Sequence, residues 1–135
     1  MIKQKTIKNI VELSGIGLHS GSSIHMKIMP ATANSGIRFR RTDLNPSVDI
    51  QLRAEQVHDT MLATSLINPQ GIRVSTIEHF LSAVSSLGID NLLVELDAPE
   101  LPILDGSARE FIDSLINAGS IEQCALKKYL LIKKT

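Results

Sequence analysis

The sequence predicts an α+β domain of two layers, with a mainly antiparallel sheet and two helices packed on one face. Three observations carry this. The first half of the chain alternates apolar and polar residues with the period of a strand. The period then changes to three-to-four spacing at Ile77, Phe80, Leu81, Val84 and Leu87, as in an amphipathic helix. The same spacing returns at Phe111, Ile112, Leu115 and Ile116. An apolar fraction of 43% in 135 residues is enough for one buried core. Aromatics make up only 3%, with no Trp, so Ile, Leu, Val and Met must build most of that core.

Taken in order, Thr6 to Glu12 is predicted as a strand, with Ile7 facing the core. The glycine-rich run Ser14 to Gly21 then calls for a tight connection or a close backbone approach. It lacks the spacing and following helix of a dinucleotide-binding loop. Ser23 to Met29 alternates, with Ile24, Met26 and Ile28 on one side, and ends at Pro30. These two strands are expected to form a hairpin around a widened loop. Ile37 to Arg41 and Val48 to Leu52 repeat the period of two. Arg53 to Asp59 is ambiguous, with Val57 its clear core candidate. Asn68-Pro69-Gln70-Gly71 is a turn joining two further strands into a hairpin.

The first helix is predicted over Thr76 to Leu87, with Ser75 as its cap, Glu78 in the capping-box position and Gly88 at its end. Asn91 to Leu96 is apolar enough for a central strand. Ser107 and Glu110 make a second capping box, opening a helix that Gly119 ends. Lys127 to Thr135 is predicted as one more strand. It either returns to this sheet or begins a second domain. The organisation is thus one domain over residues 1–126, with 127–135 as a terminal strand or the start of a second domain.

Lys and Arg together number 14, as do Asp and Glu, so the formal net charge is zero and a nucleic acid partner is disfavoured. No window approaches 18 apolar residues, so no membrane span is expected. The single cysteine, Cys124, fits a reducing compartment, and a cytoplasmic location is expected.

Glu78 and His79 are the candidates for chemistry. They place an acid and an imidazole in the first turns of a helix, about 100° apart around its axis. Adjacent residues cannot both ligate zinc in the usual helical arrangement, which wants i and i+4. One could bind a metal while the other handles a proton on water. Equally, Glu78 is explained as a capping acid and His79 as a surface imidazole. His19 lies in the glycine-rich loop, His25 on the exposed phase of a strand and His58 in a polar stretch. A catalytic zinc wants three protein ligands, and no such cluster stands at ligand spacing in this sequence.

Five segments in order resemble the UDP-3-O-acyl-N-acetylglucosamine deacetylases, zinc hydrolases of lipid A (lipopolysaccharide) biosynthesis. They are Gly15 to Gly21, Gly36 to Leu44, Val74 to Ala83, Leu87 to Asn91 and Pro102 to Ala108. The resemblance covers the first of that family's two domains and implies a fold similar to ribosomal protein S5 domain 2. It implies that His79 is the one zinc ligand of this domain and Glu78 the general base for zinc-bound water. It also implies that His19 lines the site and that Leu18, Met61 and Leu62 lie by the acyl passage and cleft. The other ligands, the groups that polarise the carbonyl and the acid for the leaving amine would come from the second domain. The implied partners are a UDP-linked acylated amino sugar and that second domain. The isolated chain is then expected to be inactive, and its uncovered helix face could drive self-association. The alternative is a non-catalytic truncated or stand-alone α+β module acting in folding, binding or self-association.

Overall fold

The computed structural model describes residues 2–59 and 63–128. Its centre is a five-stranded sheet in the order β2-β3-β9-β4-β5, formed by β2 (Val11–Ile16), β3 (Ser23–Pro30), β4 (Ile37–Arg41), β5 (Val48–Gln51) and β9 (Leu92–Leu96). Neighbours are antiparallel except β4 and β9, which run parallel. The expected central position of the apolar β9 is thus observed. Alternation decides which face is buried. Ile24, Met26 and Ile28 of β3, Phe39 of β4 and Leu92, Val94 and Leu96 of β9 are fully buried on one face. The opposite face carries a charged ladder, in which Arg40 bonds Asp49 at 2.7 Å and approaches Glu95 at 3.6 Å.

Helices α1 (Glu78–Ser86) and α2 (Arg109–Ala118) cover the apolar face. Phe80 of α1 sits edge-on between Phe39 of the sheet, at 6.1 Å, and Phe111 of α2, at 5.5 Å. These three rings join both layers. Gly88, at φ 66°, ends α1 as expected: its N–H bonds Ser85 O and the Ile89 N–H bonds Val84 O, which satisfies the last carbonyls. Among the described residues no helix is long and apolar enough to cross a membrane.

Two small sheets flank this body. Strands β6 (Val57–Asp59), β7 (Thr64–Ile67) and β8 (Arg73–Ser75) form one, with the expected turn at residues 68–71 between β7 and β8. Strands β1 (Lys3–Ile7) and β10 (Ser120–Leu126) form the other, antiparallel. This second sheet corrects the expected start of the chain, since β1 and β2 are separate strands and β1 pairs with β10. Polar groups pin it to the core. Asn91, 1% exposed, donates through Nδ2 to Gln4 Oε1 and Gln123 Oε1, and its Oδ1 accepts from Gly36 N–H. Lys127 and Lys128 have no strand conformation, and the Lys127 ammonium bonds Asp90 and Gly88 O. The rest of the expected terminal strand, residues 129–135, lies outside the described residues.

Three local expectations fail for physical reasons. Ser75 does not cap α1, because it ends β8 and its hydroxyl accepts a bond from Ser65 Oγ at 2.9 Å. Ser107 lies one residue before the N-cap Ala108; its hydroxyl donates to Asp105 Oδ1 and accepts from Arg109 N–H, so no capping box forms. Ile116, placed in the buried stripe of α2, is 58% exposed, and Ala118 is buried instead.

Arg41 is the charged residue on the buried phase of β4. Its guanidinium forks onto Asp43, at 2.8 and 2.7 Å, and its Nη1 donates to Arg73 O at 2.9 Å. The central sheet is thereby tied to β8, the strand that leads into α1. Hydrogen bonding to Arg41 holds the Asp43 carboxyl below its ordinary range, as Arg40 does for Asp49. For a depressed carboxyl, the stability it adds is complete above its unfolded pKa and is lost as pH falls through the folded one. The chain is therefore expected to lose stability on acidification below about pH 4. Thermal melts across that range should show a flatter acid limb for Asp43→Asn; an identical limb would contradict this role for the pair.

Candidate active site

The site region is built where three segments meet: the end of β8, the loop after β2 and the stretch Glu100 to Pro102. Ser75 N–H donates to Pro99 O at 2.8 Å and Leu101 N–H donates to Ser75 O at 3.0 Å. Gly17 bridges to Pro102, and Ile103 N–H donates to Ile16 O. The loop carrying Leu18 and His19 is thus stitched to the segment that is itself stitched to the start of α1. Leu18 is 54% exposed and His19 is exposed. Met61 and Leu62 lie outside the described residues.

Glu78 is the first residue of α1 rather than its third, because the helix begins after the N-cap Ile77. Its carboxylate does not cap its own helix. Oε2 accepts from Thr64 N–H of β7 at 3.0 Å, while Oε1 makes no hydrogen bond among the described residues. One oxygen therefore fixes the group, and the other is unengaged among the described residues. His79 is half-buried, and its ring makes no hydrogen bond or ion pair among the described residues. Both sit at a helix N-terminus, which favours anionic species in its neighbourhood. His25 and His58 do not join them. His25 contacts Ser14 and Glu12 on the exposed face of the β2–β3 hairpin, and His58 faces Ser65 across β6 and β7.

Sequence reasoning missed two residues here. Thr76 holds φ 60°, uncommon and strained for a β-branched residue, and is 2% exposed with its hydroxyl unpartnered among the described residues. Glu100 is 4% exposed and accepts from His19 N–H at 3.1 Å. No hydropathy pattern marks either one. The signal available for Glu100 was its place between Pro99 and Pro102, an irregular segment with an acid at its centre.

The described residues do not by themselves fit a zinc ion. No group of three or more His, Cys, Asp or Glu side chains among them could hold a metal. His79 supplies one imidazole, and a catalytic zinc needs three protein ligands.

Comparison with known proteins decides the family. The pattern of LpxC, UDP-3-O-acyl N-acetylglycosamine deacetylase, matches residues 4–135. The chain belongs to this deacetylase family. It is 51% identical over 134 residues to the UDP-3-O-acyl-N-acetylglucosamine deacetylase of Aliivibrio fischeri and 54% identical to that of Shewanella baltica. Each match covers 99% of this chain and 44% of the relative, so the chain spans under half the length of these deacetylases.

Proposed function

We propose that this chain is the N-terminal half of a zinc-dependent amidohydrolase that removes acetate from UDP-3-O-acyl-N-acetylglucosamine in cytoplasmic lipid A biosynthesis. In this reading residues 1–126 form the first domain and 127–135 begin the second. The observation that carries it is the state of Glu78: one carboxylate oxygen is anchored to β7, while the other, like the imidazole of its chain neighbour His79, has no partner among the described residues. His79 would contribute one zinc ligand, the others coming from the part of the protein that lies beyond the match. When bound, zinc would polarise the amide carbonyl and acidify water.

The chain's own residues then have distinct tasks. Glu78 Oε1 takes a proton from the water whose oxygen bonds to the acetamide carbon. The C–N bond breaks, acetate leaves, and the amine takes a proton from a donor outside this chain. The N-terminus of α1 favours the negative charge that develops on the carbonyl oxygen. In this reading His19 lines the site near the metal and Leu18 lies by the acyl passage and cleft, the place the family resemblance also implies for Met61 and Leu62. Acetate release tests this. The purified chain should show no turnover of the UDP-sugar. A chimera in which it replaces the matched part of the Shewanella baltica deacetylase should be active. Robust turnover by the chain alone, or an inactive but folded chimera, would overturn the split-site reading.

A further inference from the structure

We propose that Glu100 is the positioning residue that seats the Gly17–Ser20 loop, and with it Leu18 and His19, against the start of α1. Two attachments meet at this residue. Its main chain bridges Ser75, three positions before Glu78, and the flanking bonds to Pro99 O and from Leu101 N–H fix that register. Its side chain turns the other way, and Oε1 accepts from His19 N–H at 3.1 Å. Glu100 makes no ion pair among the described residues, so this amide is the charge-assisted partner its buried carboxylate has there.

Gly17 shows that the fit is specific. A Cβ at this position would lie 2.2 Å from Glu100 Oε1, 2.6 Å from Ser20 Oγ and 2.8 Å from Glu100 Cδ, closer than real Cβ atoms come. Gly17 does not need glycine for a left-handed backbone; it needs glycine because the Glu100 carboxylate and the Ser20 hydroxyl occupy the space. Leu18 and His19 have exposed side chains, so side-chain packing does not hold the loop in place. Its placement rests on the backbone: Ile103 N–H to Ile16 O, the turn bonds of Gly17 and Gly21, and the bond from His19 to Glu100. Removing the carboxylate would release the end of the loop that carries the imidazole.

The structural arm of the test needs no activity and stands apart from the deacetylase reading; the kinetic arm rests on that reading. In the isotope-labelled chain, Glu100→Ala should abolish hydrogen-exchange protection of the His19 amide, and Glu100→Gln, which keeps an acceptor oxygen, should retain it. Gly17→Ala should disturb the same amide, and in the Glu100→Ala background it should add less than it does in the unaltered chain, because the nearer of its two obstacles is gone and only the Ser20 hydroxyl remains. An unchanged His19 amide in Glu100→Ala, or additive effects of the two substitutions, would overturn the proposal. Should Glu100→Ala fail to fold, Gly17→Ala alone decides: undisturbed His19 protection would overturn it. In the active chimera, Glu100→Ala should lower kcat/KM on the order of 10- to 100-fold, with Glu100→Gln recovering most of the loss. Full turnover despite a released His19 amide would leave Glu100 a structural acid and overturn its role in the site.

Discussion

Phe80→Ala is expected to destabilise the chain by about 3–5 kcal/mol. Phe80 is fully buried and is the middle of three rings, in edge contact with Phe39 at 6.1 Å and Phe111 at 5.5 Å. Truncation removes both aromatic contacts, each worth about 0.5–1.5 kcal/mol beyond its area, and opens a cavity between the layers. The sheet and the two helices meet at this ring, so no single neighbour can collapse into the gap without moving a whole element. A domain of this size has on the order of 5–15 kcal/mol in total, so the substitution brings it close to unfolding. Urea denaturation should show the midpoint fall at unchanged slope. A loss below about 1 kcal/mol would mean that the three rings do not hold the layers together.

Glu78→Gln is expected to leave the fold nearly unchanged and to lower kcat of the chimera by about 10²- to 10⁴-fold. The separation of the two effects follows from geometry. The anchoring bond runs from Thr64 N–H to one carboxylate oxygen, and a glutamine keeps an acceptor for it. What glutamine lacks is basicity at the second oxygen. The sequence suggests a conflict between capping and catalysis at this residue. The structure removes it, because the helix begins at Glu78 and its carboxylate is bound to β7. Steady-state kinetics and thermal melts on the same preparations make the test. Unchanged kcat would remove Glu78 from the reaction; a large loss of stability would make any loss of rate uninformative about a base and contradict the stated anchoring.

Periodicity made most of the core legible. Strands β3, β4, β5 and β9 present apolar residues at alternate positions, and both helices show three-to-four spacing, so the two-layer body followed from the sequence. The β1–β10 sheet did not. Apart from Ile7, which joins the core, its inward residues are Gln4, Thr6 and Gln123, which hydrogen-bond to Leu126 O, Asn91 O and Ala31 O. Beyond Ile7, hydropathy carries little trace of such a sheet. The capping boxes misled for a related reason: Ser75 has the right spacing, but pairing of β7 with β8 takes its hydroxyl before the helix begins. In the site, Glu78 and His79 were legible as candidates, and the family resemblance gave them roles. Glu100 and Thr76 were not, since their importance lies in burial and backbone geometry that only the fold creates.

The central claim is that this chain holds one side of a metal site. Zinc titration by calorimetry tests it most directly, on the chain alone and on the chimera, each with and without His79→Ala. The account predicts weak binding by the chain, tight one-to-one binding by the chimera, and loss of that tight binding in the His79→Ala chimera. Tight stoichiometric zinc binding by the chain alone, or tight binding by the chimera that survives His79→Ala, would contradict it.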